Sequence, residues 1–186
     1  YNIAAAVAVG HRFGIPDGEI RRAIASYTPD NNRSQRTETG RNTLIVDGYN
    51  ANPSSMRASV ANFLAEPPGM RTRRLLILGD MLELGEWSAE EHAAVVRLAL
   101  QGAGASGAAP LPAGTATQLL LVGPEFARAV AALPRKPAAT ELFASREELL
   151  ERLRTRPVEN ALVLLKGSRG IGLEKALEAL CSAGTR

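Results

Sequence analysis

Four short aliphatic runs, Leu44–Val46, Leu75–Leu78, Leu119–Val122 and Leu162–Leu165, constrain this chain more than any other feature. None alternates apolar with polar residues, so none suits a strand with one face in water. Continuous runs of this length mark strands covered on both faces, as in a parallel sheet between two layers of helices. They extend to strand candidates at 35–39, 42–47, 73–79, 117–122, 139–143 and 161–166. The first two are separated by Gly40-Arg41, which reads as a hairpin and makes one edge of the sheet antiparallel.

Helical patterns fill the gaps. Residues 1–13 form a small-residue, almost wholly apolar helix of the kind that packs between neighbours, closed by Gly14. Asp17 reads as the cap of a second helix to about Ser26, with Ile20, Ala23 and Ile24 at helical spacing. Thr28-Pro29-Asp30-Asn31-Asn32 is a cluster of breakers and places a domain boundary near residue 33. Beyond it, Ser88…Glu91 and Ser145…Glu148 fit capping boxes. Pro124 suits the first turn of a helix to about Leu133, and a last helix runs from near Gly172 to Ser182. Residues 102–116, rich in Gly, Ala and Pro, read as a long loop. The order β-β-α-β-α-β-α-β-α-β-α implies a three-layer αβα, Rossmann-like α/β domain over 33–186.

Composition narrows the function classes. The net charge is only +3, and the arginines are scattered without interleaved aromatics, which weakens a nucleic-acid reading. No apolar run approaches the roughly 20 residues needed to span a bilayer. The single cysteine, Cys181, excludes an internal disulfide, favours a reducing compartment and reads as a packing residue. The chain opens on Tyr1-Asn2-Ile3, already inside a helical pattern, and is expected to be a piece of a longer protein.

In a parallel sheet, the carboxyl ends of the strands share one rim, where ligands bind. Four polar loops follow strand candidates: Asp47–Asn52, Gly79–Gly85, Gly123-Pro124 and Lys166–Gly170. They would bring Asp47, Asp80, Lys166 and Arg169 onto that rim. Lys166-Gly-Ser-Arg-Gly combines glycines for close approach with two cations, which suits a carboxylate or phosphate. For each acid taken singly, a helix cap or an ion pair is the competing reading. No G-x-x-x-x-G-K-[ST] phosphate loop, no Cys/His metal cluster and no nucleophile–histidine–acid set is present. His11 reads as structural. His92, one turn into its helix, is either exposed or turned to the rim.

Four segments, Asn31-Asn32-Arg33-Ser34-Gln35, Asp47-Gly48-Tyr49-Asn50-Ala51-Asn52-Pro53, Gly79–Gly85 and Lys166–Gly170, together resemble the Mur ligases. The likeness is greatest to the branch that adds D-alanyl-D-alanine (MurF type). Tyr1–Ala6 resembles the end of that family's central ATPase domain. The resemblance implies that residues 1–32 are helices of that ATPase domain and that 33–186 form the family's C-terminal, glutamate-ligase-type domain. It implies an ATP-dependent acid–amino-acid ligase of peptidoglycan synthesis. Such an enzyme joins D-Ala-D-Ala to UDP-N-acetylmuramoyl-tripeptide through an acyl phosphate. The setting implied is cytoplasmic and monomeric, with no nucleic acid and no membrane insertion.

By the same resemblance, Asn2 lies near the adenine and Arg33 reaches the nucleotide phosphates as the catalytic arginine. Asp47 and Asn50 also hold ATP. Tyr49 and Asn52 are candidates for D-Ala-D-Ala, and Lys166, Ser168 and Arg169 are candidates for its carboxylate on their chemistry more than by the resemblance. Mg2+ would accompany ATP, with its ligands outside this chain. Asp80, Glu83 and His92 fall in matching segments without an assigned role, and loop stabilisation competes for them. A binding module that has lost activity, and a folylpolyglutamate- or cyanophycin-type ligase, are the alternatives.

Overall fold

The computed structural model describes residues 2–27, 34–67, 69–101, 116–134 and 137–181. The chain divides into two compact units, Tyr1–Asp30 and Asn31–Arg186. The breaker cluster before residue 33, Arg33 itself and most of the 102–116 loop lie outside the described residues.

The first unit is a helical pair, α1 (Asn2–Arg12) and α2 (Asp17–Ser26). Its contact is made by Gly10, where an added Cβ would come within 2.7 Å of Ile20 Cδ1. The expected burial of α1 between neighbours is not found: no α1 residue is buried, and Ile3, Val9 and Phe13 are exposed. Two helices share only one face, so the apolar remainder of α1 stays uncovered within this unit. Asp17 is the first helical residue rather than the cap, and its carboxylate pairs with His11 Nε2 at 2.8 Å.

In the second unit the six expected strands form one sheet: β1 (Gln35–Glu38), β2 (Thr43–Asp47), β3 (Arg73–Gly79), β4 (Ala116–Val122), β5 (Thr140–Phe143) and β6 (Ala161–Lys166). Their spatial order is β1-β2-β6-β3-β4-β5. β1 pairs antiparallel with β2, and the other pairings are parallel. The helices are α3 (Pro53–Ala65), α4 (Ser88–Gln101), α5 (Pro124–Ala131), α6 (Arg146–Thr155) and α7 (Leu177–Cys181).

The apolar runs divide residue by residue between the two faces. Leu76, Leu78, Leu119, Leu121, Leu162 and Leu164 pack with Met56, Val60 and Phe63 of α3, Val95 and Val96 of α4, and Phe126 of α5. Leu75, Ile77, Leu120, Val122, Val163 and Leu165 pack with Leu149 and Leu153 of α6 and Leu180 of α7. Thus α3–α5 cover one face, and α6 and α7 the other.

Some local expectations give way to tertiary contacts. Ser88 does not cap α4. A 3-10 turn over Gly85–Trp87 precedes it, so Ser88 already has helical angles (φ −54°, ψ −50°). Its hydroxyl donates instead to Glu125 Oε2 at 2.7 Å. The last helix is split, with a 3-10 turn over Leu173–Ala176 before α7. Cys181 is exposed rather than packed, because the apolar stripe of this short helix ends at Leu180. Among the described residues no helix is long and apolar enough to cross a membrane.

Candidate functional site at the carboxyl rim of the sheet

Asp47 and Lys166 close adjacent parallel strands and stand opposite each other in register. Ile45 and Leu164, two residues earlier, belong to the core under α3, so strand alternation turns Asp47 and Lys166 toward the same face. Lys166 Nζ lies 2.6 Å from Asp47 Oδ2 and 3.2 Å from the Asn50 carbonyl oxygen. The lysine side chain is 1% exposed and the aspartate 15%. Ser59, on α3, donates to the same Oδ2 at 2.7 Å. Among the described residues Asp47 Oδ1 receives only a long 3.3 Å bond from the Ser34 amide. This carboxylate therefore keeps acceptor capacity on one oxygen. It lines a cleft of about 290 Å³, with Ile45, Phe63 and Leu164 as the apolar floor and the Arg36–Glu66 ion pair on its wall.

The loop after β2 is held by its own side chains. Asn52 caps α3, accepting from the Ser55 amide at 2.9 Å, while Ser55 Oγ accepts from the Asn52 amide at 3.2 Å. Asn50 Oδ1 folds back onto the Ala51 amide at 2.9 Å. Tyr49 is exposed, and the Arg169 guanidinium carbon stands 5.8 Å from its ring centre, within cation–π range.

Ser168 links three rim loops. Its hydroxyl accepts from the Leu82 amide at 2.9 Å and lies 3.5 Å from the Ala51 carbonyl, while its amide donates to the Asp80 carbonyl at 3.2 Å. Gly167 lets β6 pass close to β3, since an added Cβ would lie 3.0 Å from Gly79 Cα.

Asp80, after β3, is a structural anchor. It is 1% exposed, and its two oxygens accept the Glu125 and Phe126 amides, each at 2.9 Å. It thereby caps α5 from a neighbouring strand's loop. Burial pushes its carboxyl above the usual carboxylate range, against the pull of those amides. Gly123, before α5, has φ +117°, and an added Cβ there would overlap the Asp80 carboxylate. His92 is fully buried and turned inward. Its Nε2 accepts from the Met81 amide at 3.0 Å, and its Nδ1 lies 2.7 Å from the Ser88 carbonyl. The neutral Nδ1–H tautomer satisfies both bonds. Glu83 is exposed, with φ +66°.

The structure thus gathers Asp47, Tyr49, Asn50, Asn52, Lys166, Ser168 and Arg169 on one rim. Lys166 is a buried partner of Asp47 rather than an open cation. Asn2 is exposed at the start of α1 in the first unit, and Arg33 lies outside the described residues. Ser59 escaped sequence reading, because one serine on an amphipathic helix carries no signal until the helix is docked. Among the described residues no group of His, Cys, Asp or Glu is placed to hold a metal ion.

The model of the Mur ligase glutamate ligase domain matches residues 32–169, spanning every strand of the sheet. This chain belongs to the Mur ligase family. It is 34% identical over 180 residues to the UDP-N-acetylmuramoyl-tripeptide–D-alanyl-D-alanine ligase of Treponema pallidum, covering 94% of this chain and 35% of that protein. It is 33% identical over 187 residues to the Escherichia coli enzyme of the same name, covering 99% and 37%. A crystal structure of MurF from Acinetobacter baumannii superposes with a TM-score of 0.70 at 25% identity, over 97% of this chain and 36% of that one. The chain therefore spans about a third of the length of the relatives it matches.

Proposed function

We propose that this chain is part of an ATP-dependent ligase that joins D-Ala-D-Ala to UDP-N-acetylmuramoyl-tripeptide, and that its rim forms one wall of the ATP and dipeptide site. The observation that carries this reading is the Asp47 carboxylate. It is fixed by Lys166 and Ser59 yet keeps one oxygen facing a cleft with an apolar floor. That arrangement fits a nucleoside, with the carboxylate accepting from ribose hydroxyls and the apolar floor meeting a flat apolar surface. Asp47 and Asn50 would hold the nucleotide here, and Asn2 and Arg33 are assigned to ATP by the family resemblance alone. ATP supplies the activating phosphoryl group, and Mg2+ would be ligated outside this chain.

Lys166 and Ser168 act as positioning residues. The ammonium sets the carboxylate, and the hydroxyl locks the loops after β2, β3 and β6 to one another. Tyr49, Asn52 and Arg169 stand on the side where the dipeptide would enter. With no phosphate loop in its sequence, the 186-residue chain is expected to form no product alone.

The test is steady-state ligation by the full-length polypeptide, followed as ADP release and as UDP-muramoyl-pentapeptide formed. ATP-dependent product is expected, with turnover falling by orders of magnitude in Arg33→Ala while the fold is retained. Absence of product from the intact enzyme sinks the reading, and unchanged turnover in Arg33→Ala removes that residue's role.

A further inference from the structure

A second crevice opens at the other end of the rim. The loop after β4 leads to α5 on one face of the sheet, and the loop after β5 leads to α6 on the opposite face. Diverging loops at strand ends leave a crevice where open α/β sheets bind ligands. Here it measures about 210 Å³, and Gly123, Pro124, Ala144, Arg146, Gly170 and Ile171 are among the residues lining it. Pro124, Ala144 and Ile171 make the apolar part of its wall, and Ser145, Glu147 and the half-buried Arg146 guanidinium the polar part.

We propose that this crevice seats the carboxylate end of the incoming dipeptide, with Arg146 as the cation that receives it. The proposal rests on the ligase reading above and assigns a subsite within it. Of the rim cations, Lys166 is buried against Asp47, and Arg169 stands over Tyr49 outside this crevice. Arg146 is held on two of its three nitrogens. Its Nη1 donates to the Ile171 carbonyl at a long 3.3 Å and its Nη2 pairs with Glu147 at 2.5 Å, while its Nε has no partner among the described residues. Glu147 is 66% exposed, so a ligand carboxylate displaces a solvated competitor.

Two glycines help build the seat. Gly172, with φ +69°, leaves room for the guanidinium to cross its Cα, and a side chain at Gly170 would press on Leu82. Pro124, Ala144 and Ile171 offer the dipeptide's methyl groups an apolar surface. An extended dipeptide spans about 7 Å, and neighbouring strands lie about 4.8 Å apart. A carboxylate anchored between β4 and β5 therefore places the amine over the end of β3.

The experiment uses the full-length ligase with D-Ala-D-Ala and with D-alanyl-D-alaninamide, which lacks the carboxylate. In Arg146→Ala, KM for the dipeptide should rise about 10- to 100-fold, with KM for ATP unchanged. The wild-type preference for the carboxylate over the amide should collapse in the same variant. Arg146→Lys, which keeps the charge without the fork, should fall between and carries the test if the alanine variant does not fold. Ala144→Leu, which fills the crevice, should raise the dipeptide KM alone. Undiminished preference for the carboxylate in either Arg146 variant overturns the assignment. A wild-type enzyme that makes no product overturns the ligase reading itself.

Discussion

Asp47 and Asp80 look alike in sequence, each following an aliphatic run and opening a polar loop. The fold gives them opposite employment. Asp47 lies opposite a lysine in register and beside a serine from α3, with one oxygen left toward a cleft. Asp80 has both oxygens taken by the first amides of α5 and is sealed from solvent. The difference lies in what the neighbouring strand presents at the same height. β6 ends in a cation, whereas β4 ends in a glycine and a helix start. An acid at a strand end thus becomes a binding group or a structural cap according to its lateral neighbour, which sequence order does not reveal.

The largest expected effect is on the Asp47 side. Asp47→Ala leaves the Lys166 ammonium buried against one carbonyl, and chemical unfolding should show a loss of about 3–4 kcal/mol. Replacing Lys166 by Met in the same protein should restore most of it, because an apolar side chain needs no counter-charge. If the double variant is no better than the single, the pair is not what holds this corner. The milder Asp47→Asn should raise KM for ATP in the full-length enzyme.

Next comes Asp80→Ala, which orphans two amides at the start of α5 and should cost about 2–3 kcal/mol. Its signature is the converse of Asp47: stability falls, while KM for ATP in the surviving folded enzyme does not move. A changed ATP KM would erase the contrast between the two acids.

Asn52→Ala measures how much of the loop after β2 is scaffold. Loss of the α3 cap should cost about 1 kcal/mol. A raised dipeptide KM would add a ligand role to that structural one.

The smallest expected effect lies away from the rim, at Glu141. Hydrogen bonds and charge from Arg152, then Arg156, hold its carboxyl below the usual range. Its contribution is therefore complete above the ordinary glutamate value of about 4.3 and is lost as pH falls through the depressed folded value. Glu141→Gln should cost under about 1 kcal/mol at neutral pH, since the pair is part-exposed. The difference should vanish in acid, as read from paired urea titrations.

Much of the fold was legible beforehand, because aliphatic runs leave a strand no option but to be covered twice. The core strand positions and the αβα layering follow from that one rule, and the antiparallel edge from the Gly40-Arg41 hairpin. Helix starts were less legible. Ser145 does cap α6, accepting from the Glu148 amide at 3.3 Å. Ser88, with the same spacing to glutamate, is drawn into the helix, since Glu125 of the next helix takes its hydroxyl. At the site, the residues of the loops after β2 and β6 were visible as a polar cluster. The engagement of Lys166, the inward turn of His92 and the crevice beside Arg146 were not. The first and the last depend on residues tens of positions away that strand order brings near, and His92 on how α4 docks against the loop after β3.

The chain's own order of residues determined which segments become strands, that their carboxyl ends share a rim, and which motifs mark it as a Mur ligase. Local periodicity and glycine placement act over a few residues, so they are readable along the line. Only the tertiary structure decided which charges cancel and which remain available. Placing β6 between β2 and β3 set Lys166 against Asp47, and passing α6 to the opposite face from α5 opened the second crevice. Pairing energies depend on burial and on distances of a few ångströms, which are properties of neighbours across the sheet rather than along the chain.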